Sequence, residues 1–251
     1  MDTTPRIGIL SAMHDEIDAL LKLLTNVDQK TKGKRTYYTG TLFNKKVVLV
    51  FSRWGKVAST MTTTQLINDY NLSELIFTGV AGGLQSDLNI GDIIVGDKLY
   101  QHDLDASPLF PKFHIPLLNK AEINTAYSGK LLKATETFLH HFKQHLDDST
   151  IATFKLEQPK VRIGTILSGD QFISSSDKIN SLLSEIPTAQ CVEMEGAAVA
   201  QVCYEYNIPF SIIRTISDKA NDNATLDFPK FAKEVASLYA AGILEAYFEM
   251  D

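Results

Sequence analysis

The sequence predicts an α/β layered fold with a mixed sheet, and two observations lead there. Short β-branched runs alternate along the chain with longer segments whose apolar residues recur at three- and four-residue spacing, which is the signature of strands alternating with packed helices. One pair of runs is joined so tightly that it reads as a hairpin, so the sheet cannot be purely parallel. Size supports this: at 251 residues, 44% of them hydrophobic, roughly three quarters of the unfolded surface can be buried without a disulfide or metal staple. Residues 1–251 are therefore expected to form a single domain.

The elements follow in order. Arg6 to Leu10 is an apolar strand, and Asp15 to Leu24 a helix. Lys34 to Phe43 and Lys46 to Phe51 form the hairpin, turning at Asn44-Lys45. Lys56 to Tyr70 is a helix, and Leu75 to Val80 a strand that runs into Gly79-Val80-Ala81-Gly82-Gly83. That cluster lacks the G-x-G-x-x-G spacing of a dinucleotide turn, and the chain soon returns to a strand at Asp92 to Val95. It is either a structural turn or a place where backbone approaches a flat or sugar-like ligand. His102 to Lys120 has neither period; Pro108, Pro111 and Pro116 alternate there with Leu109, Phe110, Phe113 and Ile115. Such a segment suits an interface or a lid, or a loop that caps its own core. Ala126 to His145, Ser174 to Leu183, Glu195 to Tyr206 and Phe228 to Met250 are helices, and Val161 to Leu167 and Phe210 to Ile216 are strands.

Charge and composition narrow the function. With 24 Lys and Arg against 30 Asp and Glu, no bulk field favours nucleic acid or an anionic membrane, so a small or neutral partner is expected. No apolar run approaches the ~18 residues of a membrane span, and the start, Met1 to Arg6, lacks a secretory pattern. Cys191 and Cys203 fit neither a disulfide framework nor zinc-binding pairs, which agrees with a reducing, cytoplasmic setting. His140, His141 and His145 sit among Lys143, Gln144 and Asp147, a solvated face with no further ligand to complete a metal site. Arg53-Trp54 before Gly55-Lys56 is either an anion site at a helix start or a packing Trp beside a solvent-facing Arg.

Acids beside apolar segments carry the chemistry. Glu16 follows the first strand, and Ser217-Asp218 ends the apolar strand from Phe210, at the sheet edge where open α/β proteins bind ligands. In Val192-Glu193-Met194-Glu195-Gly196 two carboxylates precede a helix of small residues. Capping accounts for one, and alternation around Met194 turns the other toward a pocket. Three acids from distant strand ends are expected to converge on one cleft.

In register, Ile7-Gly8-Ile9-Leu10-Ser11-Ala12-Met13 with Glu16, Gly55-Lys56-Val57-Ala58, Thr78-Gly79-Val80-Ala81-Gly82-Gly83, Ser168-Gly169-Asp170-Gln171-Phe172-Ile173, Val192-Glu193-Met194-Glu195 and Arg214-Thr215-Ile216-Ser217-Asp218 resemble the 5'-methylthioadenosine/S-adenosylhomocysteine nucleosidases. These belong to the nucleoside phosphorylase-like superfamily. The resemblance implies a homodimeric, three-layer sandwich-like fold with a mixed central sheet flanked by helices. It implies hydrolysis of the adenine N-glycosidic bond, as in methionine salvage and the recycling of S-adenosylmethionine by-products, with adenine nucleosides as partners, water as nucleophile, and no metal or organic cofactor.

Residue by residue, it makes Asp218 the general acid at adenine N7, oriented by Ser217. Glu16 holds and activates the water, with Arg214 beside it. Glu195 binds the ribose hydroxyls, Met194 packs on the sugar, and Phe172 stacks on adenine. The backbone of Ile173 reads the base edge, Ala81 and Gly82 line the substrate site, and Phe228 closes the 5' side. Val80 departs from the serine that several members carry, leaving the water to Glu16 and Arg214. The loop from Leu109 to Pro116 occupies the region that crosses the family's dimer. Two rivals remain: a purine nucleoside phosphorylase, which needs cations where this chain offers His14, Asp15 and Glu16, and a non-catalytic adenine-nucleoside-binding protein, which would not need all three acids.

Overall fold

A computed structural model describes residues 4–116, 118–219, 228 and 230–250. Eleven strands form one mixed sheet: β1 (Arg6–Ser11), β2 (Thr25–Lys32), β3 (Arg35–Leu42), β4 (Lys45–Phe51), β5 (Leu72–Phe77), β6 (Val80–Gly83), β7 (Ile93–Gln101), β8 (Glu122–Asn124), β9 (Val161–Ser168), β10 (Ala189–Glu193) and β11 (Phe210–Asp218). Their order is β2-β3-β4-β1-β5-β11-β6-β10-β9-β7-β8, and β7 also pairs with β11, so this half of the sheet curls round on itself. The helices are α1 (Asp18–Leu23), α2 (Lys56–Asp69), α3 (Ser128–Leu139), α4 (Asp148–Phe154), α5 (Ser176–Glu185), α6 (Gly196–Glu205) and α7 (Ser237–Glu249).

The apolar runs become strands covered on both faces. β1 lies parallel between β4 and β5, and its side chains alternate between two cores. Ile9 packs with Leu20, Leu49, Phe138 and Tyr239 on one face. Leu10 packs with Val50, Leu66, Phe77 and Val199 on the other. Burying one such aliphatic side chain stabilises the fold by roughly 1.5–3 kcal/mol, so a strand of these residues is held firmly between two helical layers. The expected mixed sheet between helices is what forms.

Several details differ from the sequence reading. The hairpin turns on Phe43 and Asn44, both at positive φ (44° and 63°), as a tight two-residue turn requires, one position earlier than expected. The run from Leu75 divides into β5 and β6 at Thr78-Gly79. The long helix expected over 126–145 stops at Leu139, and α4 restarts with Asp147 accepting a hydrogen bond from the Thr150 N–H. β2 gave no apolar signal because it is an edge strand of polar residues exposed along most of its length. Among the described residues no helix is long and apolar enough to cross a membrane.

One register positions the site. Gly82 of β6 pairs with Asp218 of β11 on one side and with Val192 of β10 on the other. The ends of two strands that arrive from different parts of the chain are thereby fixed on either side of β6, two strand spacings or about 10 Å apart. β10 is antiparallel to β6 while β11 is parallel to it, so the carboxyl-edge rule accounts for Glu16 and Asp218 and the antiparallel pairing brings in Glu193 and Glu195.

Candidate active site

Glu16 ends a short 3-10 turn, His14–Glu16, that follows β1. It is 2% exposed. Its Oε2 accepts the N–H groups of Ala12 and Met13, each at 2.9 Å, and its Oε1 that of Val80 at 3.1 Å. Burial pushes its pKa above the ordinary carboxylate value, while the Arg214 charge and the three N–H bonds pull the other way without prevailing. A Cβ at Gly79 would stand 2.8 Å from Oε1. The break between β5 and β6 is therefore where backbone must pass close to this acid.

Behind the end of β10 lies a buried ion pair. Arg214 Nη2 meets Glu193 Oε2 at 2.7 Å. Its Nη1 donates to the carbonyls of Ile213 (3.0 Å) and Phe77 (3.3 Å), and its guanidinium lies 4.0 Å above the Phe77 ring. Glu193 also accepts the Gly196 N–H at 2.9 Å and the Ser168 hydroxyl, so it is the acid that caps α6. Removing either ionic partner would strand a buried charge at a cost of about 3–5 kcal/mol. Glu195 faces the other way and its Oε1 accepts the Gly55 N–H at 2.7 Å. Burial, and then the neighbouring Glu193 carboxylate, push Glu195 up to about 8, against the Gly55 bond and the Arg214 charge.

Asp218 is buried, and the Ser217 hydroxyl donates to its Oδ2 at 2.7 Å. Glu16, Glu193, Glu195 and Asp218 all border one cavity of about 370 Å³, within the range that holds a small organic ligand. Apart from Ser217 and Gln171 its other walls are apolar: Ala12, Met13, Val80, Ala81, Gly82, Ile173, Val192 and Met194, with the more exposed Trp54, Phe172 and Phe228 at the rim. Phe172 and Phe228 meet edge to face at 6.3 Å. Among the described residues, no Lys, Arg or His lines this space.

The sequence profile of the phosphorylase superfamily matches residues 6–249. A 5'-methylthioadenosine/S-adenosylhomocysteine nucleosidase of Staphylococcus aureus is 32% identical over 92% of this chain and 93% of its own. The chain belongs to this nucleosidase family within the phosphorylase superfamily. The Neisseria meningitidis nucleosidase solved with methylthio-immucillin-A superposes with a TM-score of 0.84 at 30% identity, over 99% of this chain and all of that one. Futalosine hydrolase of Helicobacter pylori superposes with a TM-score of 0.82 at 34% identity, over 98% of each chain.

For a nucleosidase-family chain the sequence placed most of the cavity. Glu16, Asp218, Ser217, Glu195, Met194, Phe172, Ile173, Ala81, Gly82 and Phe228 all line it. Arg214 does not: its charge is turned away toward Glu193. The sequence leaves open which of Glu193 and Glu195 caps the helix; Glu193 does, and it also borders the cavity, because the chain leaves β10 there and turns. Trp54 and Gln171 were not singled out as lining residues. Trp54 had a signal, a large aromatic between a strand and a helix, and Arg53 beside it donates to the Lys34 carbonyl at 2.8 Å. Val80 contributes its N–H to Glu16. Among the described residues of 102–120, none borders the cavity. His140 and His141 are exposed, and His145 packs on Phe138. Among the described residues, no cluster of acids, His and Cys could hold a metal.

Proposed function

We infer that this chain hydrolyses the N-glycosidic bond of 5'-methylthioadenosine and S-adenosylhomocysteine, releasing adenine. The observation that carries this reading is a cavity edged by four acids and, among the described residues, by no cation. Cleavage develops an oxocarbenium-like ribose, which a carboxylate stabilises and a cation would not. Glu195, buried beside Met194, binds the ribose hydroxyls. Glu16, held by three N–H groups, takes the proton of the attacking water. Asp218, oriented by Ser217, gives a proton to N7 so that adenine leaves neutral. Phe172 stacks on the base and Ile173 reads its edge. Arg214 acts from behind, pairing with Glu193 and supplying positive potential near Glu16.

The absence of a lining cation among the described residues weighs against a phosphorylase, because a phosphate dianion would meet acidic groups and no opposite charge. A merely nucleoside-binding protein would have no use for a buried acid held as Glu16 is. Adenine release is expected to proceed at the same rate with phosphate omitted, yielding the free sugar. Dependence on phosphate, with a sugar 1-phosphate as product, would refute the hydrolytic reading. The apolar side chains of Trp54 and Phe228 at the rim suit a thioether on the 5' carbon. Activity confined to futalosine would show that the 5' side had been misread.

The protein acts in the cytoplasm as a homodimer. Val57 and Met61 lie four apart on one face of α2, 72% and 56% exposed, and Trp54 just before the helix is 60% exposed. In the 102–120 segment Leu109 is 84% exposed and Phe110 38%. Exposed apolar surface of this kind marks an interface, and a two-fold pair would let each loop complete the neighbour's 5' pocket. Sedimentation at micromolar concentration is expected to give a dimer, with Val57→Glu weakening it; a fully active monomer would defeat this assignment.

A further inference from the structure

Two motif residues have no part in the chemistry above: Lys56, after Gly55, and Asp170, before Gln171 and Phe172. Neither lines the cavity, yet the fold joins them. The N–H of Lys56, the first residue of α2, donates to Asp170 Oδ1 at 2.8 Å. Its Nζ donates to Asp103 Oδ1 at 2.7 Å and to Gln101 Oε1 at 3.2 Å. Asp103 Oδ2 accepts the N–H of Asp170 at 2.8 Å, which closes a ring through three distant segments.

This ring is built rather than incidental. The Lys56 and Asp103 side chains are only 19% and 16% exposed, unlike the solvated surface pairs that contribute little. Burial alone would raise the Asp103 pKa, but the Lys56 hydrogen bond, the Asp170 N–H and the Lys56 charge outweigh it and hold Asp103 below its ordinary value. The backbone is adapted too. Gly55 sits at φ +90°, and a Cβ there would stand 2.8 Å from Asp170 Oδ1. A Cβ at Gly169 would run into the buried His102 imidazole.

Each arm of the ring adjoins a site residue. Gly55 precedes Lys56 and holds Glu195 Oε1. Asp170 precedes Gln171, Phe172 and Ile173, all on the cavity wall. We propose that Lys56, Asp103 and Asp170 are positioning residues, a clamp that sets the spacing between the ribose carboxylate Glu195 and the base-reading segment Phe172-Ile173. The proposal rests on the nucleosidase reading. Glu16 and Asp218 are held by other bonds, from Ala12, Met13, Val80 and Ser217. Loosening the clamp therefore weakens base and ribose binding while leaving the chemical step nearly intact.

Trp54 is the only tryptophan of the chain and lies on the cavity wall, so its fluorescence reports adenine binding without any turnover. Adenine is titrated into the full chain, Lys56→Met, Asp103→Ala and the double variant, with KM and kcat for 5'-methylthioadenosine and a melting curve measured for each. Each single change is expected to raise the adenine Kd and KM about tenfold, the scale of one lost charged hydrogen bond, with kcat within about threefold. The double variant is expected to be no worse than the worse single, because both changes open one ring. Folded singles within twofold of the parent, or single effects that multiply in the double, overturn the proposal. If the Lys56 variant does not fold, the exposed Asp170 decides: Asp170→Asn, whose amide oxygen still accepts the Lys56 N–H, should bind adenine nearly as the parent does and Asp170→Ala should not, and equal binding by the two overturns it. A parent chain that binds no adenine instead removes the nucleosidase reading itself.

Discussion

Asp218→Asn is expected to lower kcat by about a hundredfold or more, the usual scale for deleting a general acid, while retaining more substrate affinity than Asp218→Ala. The Ser217 hydroxyl donates to Asp218 Oδ2 at 2.7 Å. In the variant the same hydroxyl can donate to the remaining amide oxygen, which turns the amide NH2 toward the base. That group still offers N7 a hydrogen bond but has no proton to transfer. Alanine offers neither, so its loss appears in binding as well as in turnover. Ser217→Ala should fall between the parent and Asp218→Asn, because the acid remains and only its orientation is freed. Single-turnover adenine release combined with equilibrium binding separates these cases. Near-parental turnover by Asp218→Asn would mean that hydrogen bonding alone suffices and that proton transfer lies elsewhere.

How much of this was legible in the sequence depended on whether a feature leaves a local trace. Apolar runs covered on both faces, such as Arg6 to Leu10 and Phe210 to Ile216, announce buried strands because nearly every side chain must be apolar. β2 leaves no trace, since an exposed edge of Thr, Asp, Gln and Lys is held by the ladder to β3 and not by burial. The acids were visible as charges beside apolar segments. Their partners were not: that Arg214 turns to Glu193 instead of the cavity follows from β10 and β11 flanking β6, a long-range register that spacing cannot reveal. The break at Gly79 was hidden for the same reason, because the acid it must pass, Glu16, is remote in sequence. The clamp joining Lys56, Asp103 and Asp170 spans three segments, and only its ends fell within recognisable motifs.

Glu16→Gln is expected to reduce kcat by at least about a hundredfold, since an amide keeps the shape of the side chain but cannot take a proton from water. Substrate affinity should change little, because Glu195, Phe172 and Ile173 carry the binding. Stability is set by two opposing effects. Folding raises the pKa of Glu16, so the folded chain holds a proton that the unfolded chain releases above about 4.5. The stability this acid contributes is therefore greatest at low pH and declines as pH rises toward its folded value. Glutamine removes that decline, which favours the variant at neutral pH. Its oxygen can still accept from Ala12 and Met13, but its NH2 then faces the Val80 N–H, and an orphaned buried donor costs about 1–3 kcal/mol. The two contributions offset each other, and the melting temperature at neutral pH should stay within a few degrees of the parent's. The pH profile supplies the decisive readout. The base must be ionised to act, so kcat/KM of the parent should fall with acid along a limb lying above the ordinary carboxylate range, and in Glu16→Gln the residual activity should lose the part of that limb due to Glu16, leaving only what Glu195 contributes. A variant that keeps both its turnover and the acid limb would place the base on another residue, with Glu195 the first to test.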